Sequence, residues 1–302
     1  MPVGPIFARS LHPIDSQARR INGPGLLRSP IPLRRLFDRP TSAAGTLIVA
    51  LFLVMAFLGP WIAPYGENEQ IYTDLSQPPS SEHWMGTDHL GRDVFSRVVL
   101  GAQDVLLLAG VGTLLAVLAG TLLGLVSGYR GGLFDEGLMR LSDSLLALPA
   151  LLLSLVFLGT LGTSTFGVMI VIAIVYFPIV ARVVRSVTLD IKSRGFVETA
   201  RLQGESHRHI LFREIFPSVL PSLTVETALR FSYAIFLIAS LGFLGVGVQP
   251  PSANWGLMVK EGRIFVSEAP WELVFPALAI SILVIGVNLM ADGFRRSVQN
   301  RT

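Results

Sequence analysis

Six apolar blocks, each close to the length of a bilayer span, constrain this chain more than any other feature of its sequence. A helix needs roughly 20 apolar residues to cross about 30 Å of hydrocarbon. The blocks occupy residues 43–63, 104–128, 142–161, 165–187, 219–247 and 272–291. Only 15% of the residues are charged, and the basic ones lie largely between the blocks. The pattern predicts an all-α, polytopic membrane protein with six transmembrane helices.

The distribution of charge between the blocks predicts their orientation. The tail 1–42 is rich in arginine and proline, and the loop 182–217 is again basic, whereas the segment 64–103 is acidic. Basic loops remain in the cytoplasm, so the tail, the 182–217 loop and the C-terminus 296–302 are predicted there. The segments 64–103 and 248–271 are then extracytoplasmic. The same placement of arginines explains the basic pI better than a nucleic-acid partner does.

Glycines in the second block recur at a helical spacing. Gly120, Gly124 and Gly128 follow one another at intervals of four residues, which places them on one face of a helix. Such a face allows a second backbone to approach closely, which is how helices associate inside lipid. The alternative is the general enrichment of glycine in membrane helices.

The loop after the fourth block has the signals of two short helices. Residues 196–203 can form the first, and Gly204 can adopt a positive φ and end it. Ser206 can cap the second helix, and Pro217 is expected to stop it before the fifth block. Two compact helices at a membrane surface would make a rigid unit, suited to transmit movement to or from a cytoplasmic partner.

Several residues of this loop resemble the EAA loop of bacterial ABC importer permeases, which docks into the ATPase subunit. The matching positions are Glu198, Thr199, Ala200, Gly204, Ile210 and Pro217. One departure is Glu214, where relatives often have histidine. The pattern G-T-D-x-x-G-R-D-x-x-S-R at 86–97 and the block ending Q-P-P…W-G at 241–256 are similar to the dipeptide/oligopeptide-type permeases. The resemblance extends over about 43–295.

This resemblance implies a type I ABC importer permease fold, with the permease core in 104–295 and the coupling loop in 190–217. Such a subunit binds no cofactor itself, because ATP and magnesium are used by one or two separate ABC ATPase subunits. The other implied partners are a second related permease, an extracytoplasmic substrate-binding protein and the lipid bilayer. The implied location is the bacterial plasma (inner) membrane. The implied cargo is a dipeptide, an oligopeptide or a similar small solute.

Two further groups of residues are candidates for contact with the cargo or its binding protein. Glu226 and Arg230 lie four residues apart in the fifth block, at a depth where charges are costly and commonly functional. They either line the translocation path or neutralise each other. By resemblance, Gln249, Pro250, Pro251 and Trp255 belong to an extracytoplasmic loop or gate at the outer interface.

The sequence offers no catalytic or metal-binding residues of its own. A P-loop requires Gly-Lys-[Ser/Thr], but the only lysines, Lys192 and Lys260, follow isoleucine and valine. Cysteine is absent, as are the G-x-S-x-G and H-E-x-x-H motifs. The alternative function is a self-sufficient secondary transporter or channel, which would favour inverted repeats and broken helices. An intramembrane enzyme would need a catalytic cluster inside the spans.

Overall fold

The computed structural model describes residues 40–299, with side chains as far as residue 296. Nearly all of the predicted tail, and the last three residues of the predicted C-terminal segment, lie outside the described residues. Helices are the regular elements of the described part. They are α1 Pro40–Ile62, α2 Val94–Arg130, α3 Gly132–Leu146, α4 Ala150–Leu161, α5 Thr165–Lys192, α6 Gly195–Leu202, α7 His207–Leu244, α8 Trp255–Gly262 and α9 Pro270–Gln299. Among residues 40–299, five helices (α1, α2, α5, α7 and α9) are long and apolar enough to cross a membrane.

The predicted third span, 142–161, is not one straight helix. It falls on α3 and α4, which are bent by 97° relative to each other at a short break. Pro149 lies at this break, directly before α4. A proline disfavours helical geometry at the preceding residue, here Leu148, so the helix ends and a new one starts in another direction.

The packing of α2 against α5 shows that this bent pair still carries the chain across. Gly112 of α2 lies against Ile172 of α5, and Gly128 lies against Thr188, so the two helices run in the same direction. The chain must therefore return between them, and α3 and α4 form the only connection. Together with the five long helices, the bent pair gives the six crossings that the sequence predicts.

The glycine face predicted in α2 is confirmed and is longer than the sequence analysis proposed. A Cβ atom on Gly120 would lie 2.6 Å from Cβ of Val180, and one on Gly124 would lie 2.5 Å from the Ala181 carbonyl oxygen. Gly112 extends the row on the same face, eight residues before Gly120, with Ala116 between them. Backbones can approach this closely only where side chains are absent. We call this contact between α2 and α5 the glycine seam.

Two helices begin well before their predicted bounds. Helix α2 starts at Val94, so residues 94–103 of the predicted extracytoplasmic segment are helical. The Asp93 carboxylate accepts a hydrogen bond of 2.7 Å from the Ser96 backbone N–H and caps this end. Helix α7 starts inside the predicted cytoplasmic loop, and it ends at Leu244, earlier than the predicted 247, because Gly245 takes a φ of +79°.

The prediction that Pro217 stops a helix is wrong, because α7 continues through it. Residues Ile210–Ile215 form a wider, π-helical turn, and regular α-helix resumes at Phe216. Pro217 therefore occupies the first turn of the regular section, where its missing N–H has no required partner. The short second helix of the loop and the fifth span are consequently one continuous element.

Candidate functional site

The predicted coupling residues lie in α6 and the beginning of α7, which we call the two-helix segment (residues 195–217). Gly204 separates the two helices with a φ of +80°. The Ser206 hydroxyl accepts a hydrogen bond of 3.2 Å from the His209 backbone N–H. The predicted glycine break and the predicted serine cap are both confirmed. The arrangement holds α6 and α7 at a fixed turn without a long connecting loop.

The two-helix segment has one apolar face and one face open to solvent. Val197 and Ala200 are buried, whereas Glu198 and Thr199 are exposed. The buried residues of α6 belong to a cluster that includes Ile210 and Ile215 of α7, together with side chains from α2 and α5. Of the predicted coupling residues, Glu198, Thr199, Gly204 and Pro217 are therefore accessible to a partner. Ala200 and Ile210 fix the segment to the spans.

Aromatic and polar contacts join the two-helix segment to the end of α2. The Tyr129 hydroxyl lies 2.9 Å from Nδ1 of His207, and the Arg201 guanidinium carbon lies 5.2 Å from the centroid of the Tyr129 ring. His209 is half-buried, with Glu205 at 3.5 Å and Glu214 at 3.8 Å. These contacts tie both helices of the segment to each other and to α2.

The predicted charge pair of the fifth span forms as expected from its spacing. Nε of Arg230 lies 2.7 Å from Oε1 of Glu226, and both side chains are nearly buried. The Arg230 guanidinium carbon also lies 4.8 Å from the ring centroid of Tyr233 and 5.8 Å from that of Tyr176. The aromatic faces add to the attraction of the carboxylate. The pair neutralises itself in the described chain, and its contact with cargo stays a prediction.

At the opposite end of the bundle, residues 66–93 pack against residues 252–272, and we call this region the polar cap. Arg92 donates to Asp88 at 2.5 Å and to Glu261 at 2.9 Å. Nδ1 of His89 lies 2.7 Å from Oε1 of Glu272, a carboxylate that is almost completely buried. The sequence analysis did not identify these pairs. Asp88 and Arg92 are only four residues apart. The other two pairs join residues far apart in sequence, so only the fold brings them together.

The predicted gate residues separate into two groups. Gln249, Pro250 and Pro251 are exposed at the surface. Trp255, which the sequence placed at the outer interface, is fully buried and donates a hydrogen bond of 3.0 Å from Nε1 to the Val98 carbonyl oxygen. A Cβ atom on Gly101 would lie 2.9 Å from that nitrogen, so this glycine provides the space for the indole.

Within residues 40–296, the His, Asp and Glu side chains form no group of three that could hold a metal ion. The arrangement as a whole has the two-helix segment, with its exposed face, at one end, the polar cap at the other, and spans that connect them.

Residues 120–302 match the model of a protein family described as the binding-protein-dependent transport system inner membrane component. Residues 32–79 match the N-terminal transmembrane domain of oligopeptide transport permease C. The chain belongs to the binding-protein-dependent transport permeases.

Two relatives of this permease illustrate the family. The probable D,D-dipeptide transport system permease protein DdpC of Escherichia coli (strain K12) is 39% identical over 256 residues, covering 85% of this chain and 86% of the relative. The glutathione transport system permease protein GsiD of Escherichia coli O157:H7 is 43% identical over 264 residues, covering 87% of each chain.

Family membership decides between the functions that the sequence left open. The predicted all-α permease fold and the predicted resemblance are confirmed, and the chain is an inner membrane transport component and not a self-sufficient channel. The family assigns it transport. Its cargo, its partners and the sides on which its termini lie are treated below as proposals.

Proposed function

We propose that this permease forms half of a translocation path for small peptides, and that a second related permease forms the other half. The relatives named for D,D-dipeptide and glutathione transport support a cargo of this class. An extracytoplasmic binding protein would deliver the peptide. One or two ABC ATPase subunits, which bind ATP and magnesium, would supply the energy. This chain contributes no catalytic residue to that hydrolysis.

The observation that carries the proposal is the two-sided construction of α6. Glu198 and Thr199 face solvent, while Val197 and Ala200 are anchored in a cluster shared with three spans. A partner can bind the exposed face of such a helix, and the buried face then passes the partner's movement to the bundle. We infer that the ATPase binds the exposed side. The excess of arginine in the tail and around this segment supports a cytoplasmic location for it and for both termini.

The packing also supports a route by which ATPase movement would reach the path. When the ATPases close on ATP, α6 is displaced and takes with it α7, because the two are joined by the short turn at Gly204. The glycine seam makes α2 and α5 move as one unit. The spans then open toward the binding protein, and hydrolysis with product release resets the inward-facing state, as in other rigid-body switches.

We infer that Glu226 and Arg230 face the path when the two permeases are assembled. An ion pair beside Tyr176 and Tyr233 offers both a carboxylate and a guanidinium. A zwitterionic peptide carries the complementary groups at its two termini. Replacing both residues together, as Glu226→Gln with Arg230→Gln, avoids leaving one charge buried. Loss of zwitterionic dipeptide uptake with preserved assembly supports this role, and unchanged uptake contradicts it.

The coupling proposal is tested by reversing one charge on α6. In Glu198→Arg, binding of the ATPase subunits should weaken about tenfold or more, as for a residue at the centre of an interface. Peptide-stimulated ATP hydrolysis should fall with it. Both are measured on the assembled transporter in nanodiscs. The matched control is Glu136→Arg, which reverses a charge on α3, where the Glu136 side chain is 56% exposed and pairs with Arg140.

Two results would contradict the proposal. Normal assembly and normal coupling in Glu198→Arg would remove α6 as the ATPase contact. Uptake of peptide by this chain without any ATPase would remove the importer mechanism altogether.

A further inference from the structure

A groove of about 740 Å³ lies beside the two-helix segment, between the end of α2 and the beginning of α7. Its lining is partly apolar and partly basic. Val126, Leu211 and Phe212 are its apolar side chains, and the exposed Arg130, Arg201 and Arg208 form its basic rim. Tyr129 and His207, which contact each other, complete the lining. Among the residues that the structure describes, no acidic side chain lines this groove.

The three arginines of the rim have no anionic partner in the part of the chain that the structure describes. Of the three acids in the segment, Glu205 and Glu214 lie beside His209, and Glu198 forms no ion pair with these arginines. The C-terminal end of α2 already has its own cation, because Nζ of Lys192 donates to the Gly128 carbonyl oxygen at 2.8 Å. Three clustered positive charges without a carboxylate repel one another. The rim is therefore suited to an anion from outside the chain.

The groove is continuous with an apolar stripe that runs along α2 into the bilayer. Leu118, Leu122, Val126 and Arg130 follow one another at intervals of four residues and share one helix face. The two leucines are about half exposed, at 53% and 50%. From Leu118 to Arg130 the helix rises about 18 Å, comparable with the hydrocarbon depth of one leaflet. A headgroup at the arginines would thus have its acyl chain along the leucines.

We propose that this groove binds one anionic phospholipid, with its phosphate among Arg130, Arg201 and Arg208 and an acyl chain along Leu118 and Leu122. Basic pockets between spans at the cytoplasmic surface are suited to such headgroups. The lipid would bridge α2 to α6 and hold the two-helix segment in place. Lipid binding requires only the geometry of the groove, whereas its effect on ATPase coupling rests on the proposed function.

The direct test is the retention of lipid by the purified transporter, with its partner subunits, after equilibration with phosphatidylglycerol or phosphatidylcholine. Native mass spectrometry counts the lipids bound to this chain. We expect one phosphatidylglycerol to be retained in preference to phosphatidylcholine. In Arg130→Gln with Arg208→Gln its affinity should fall about 25-fold, since each basic residue near an anionic lipid contributes roughly fivefold. Arg201 is left intact because it belongs to α6.

The matched control is Arg140→Gln, which removes an arginine whose side chain is 78% exposed on α3. Phosphatidylglycerol retention should be unchanged in it. If the double variant does not assemble, Arg208→Gln alone should still lower the affinity for phosphatidylglycerol, by about fivefold.

Three results would overturn the proposal. The first is equal retention of the two lipids by the unmodified protein. The second is displacement of phosphatidylglycerol by inorganic phosphate, which would make the groove a site for a soluble anion. The third is unchanged lipid retention in the double variant together with loss of its ATPase subunits, which would make the groove part of the ATPase interface. The coupling proposal fails by a different measurement, through Glu198→Arg, so the two can be distinguished.

Discussion

The polar cap and the two-helix segment, at opposite ends of this permease, are stabilised by different kinds of interaction. In the polar cap, buried Arg92 pairs with Asp88, four residues before it, and with Glu261, from a distant part of the sequence. In the two-helix segment, the contact with the spans is mainly apolar, through Val197, Ala200 and their neighbours. Its carboxylate at Glu198 is left exposed. The charged side chains of the polar cap pair with one another, whereas Glu198 of the two-helix segment is open to solvent.

This difference indicates which end stays fixed during transport. A buried ion pair is bound to one geometry, because moving one partner leaves the other buried without compensation. Apolar contacts are non-directional and tolerate small displacements. We therefore expect the polar cap to remain intact through the cycle while the two-helix segment shifts. In the proposed mechanism, the glycine seam carries that shift along α2 and α5.

The largest effect is expected from breaking the polar cap at Asp88. Its carboxylate accepts hydrogen bonds from the backbone N–H groups of Leu90 and Arg92 and from the Arg92 side chain. Asp88→Ala leaves the Arg92 guanidinium buried beside only one carboxylate, so the free energy of unfolding should fall by about 3–5 kcal/mol. Thermal unfolding in detergent measures this loss. Glu268→Gln, at an exposed position of the same region, is the control, and equal stability of the two variants would contradict the description of the cap.

The next effect is expected at the glycine seam, which connects the two ends. A methyl group on Gly124 would lie 2.5 Å from the Ala181 carbonyl oxygen, whereas one on Gly159 of α4 would have no neighbour within 4 Å. Gly124→Ala should therefore lower the free energy of unfolding by about 1–3 kcal/mol through overpacking. Gly159→Ala should leave it unchanged or raise it, because alanine favours a helix. Thermal unfolding and peptide uptake are measured for both variants. Equal stability and equal uptake would contradict a close contact between α2 and α5 at Gly124.

The sequence predicted best those features that depend on neighbouring residues. The apolar blocks identified the spans, the spacing of Gly120, Gly124 and Gly128 predicted a close helix contact, and Gly204 with Ser206 predicted a turn and a cap. Each signal is local, since a few residues determine the conformation that a turn or a helix face can adopt.

Three other features were missed or wrong. Pro217 does not stop its helix, because the wider turn before it places the proline where a regular section begins. Trp255 is buried and not interfacial, because Gly101 of another helix provides space for its ring. The pair of His89 and Glu272 could not be found from spacing at all. The outcomes for Trp255 and for His89 with Glu272 are set by tertiary packing, which the pattern of one segment does not contain.

A smaller effect is expected in the turn of the two-helix segment. Gly204 has a φ of +80° and Gly195 does not, although an added Cβ atom would meet no neighbour within 4 Å at either position. Alanine at Gly204 should therefore destabilise the segment by about 1–2 kcal/mol through backbone strain alone. Gly195→Ala is the matched control without this strain.

Hydrogen exchange measures the outcome of the Gly204 substitution. Residues 195–209 should exchange faster in Gly204→Ala, and the polar cap should be unaffected. Gly204→Asn should recover part of the loss, because asparagine tolerates a positive φ better than alanine. Faster exchange in the polar cap would indicate that the two ends are not independent, and would contradict the comparison.

The smallest effect is a pH dependence confined to the polar cap. The hydrogen bond to Glu272 raises the pKa of His89 above its ordinary 6.5, with help from Asp88, while partial burial and Arg92 act in the opposite direction. Because the folded pKa lies above the unfolded one, the stabilisation is fully present below about pH 6.5 and is lost as the pH rises through the raised pKa. Exchange at residues 86–92, corrected for its intrinsic pH dependence, should therefore be slower at about pH 6 than at about pH 8.5.

His89→Gln should remove this dependence, whereas His207→Gln, at the other end of the bundle, should preserve it. If the polar cap instead became more protected as the pH rose, or kept its dependence in His89→Gln, the histidine pair would not be the group responsible. A dependence limited to the polar cap would show that its charged contacts stabilise one end of this permease without constraining the segment proposed to move.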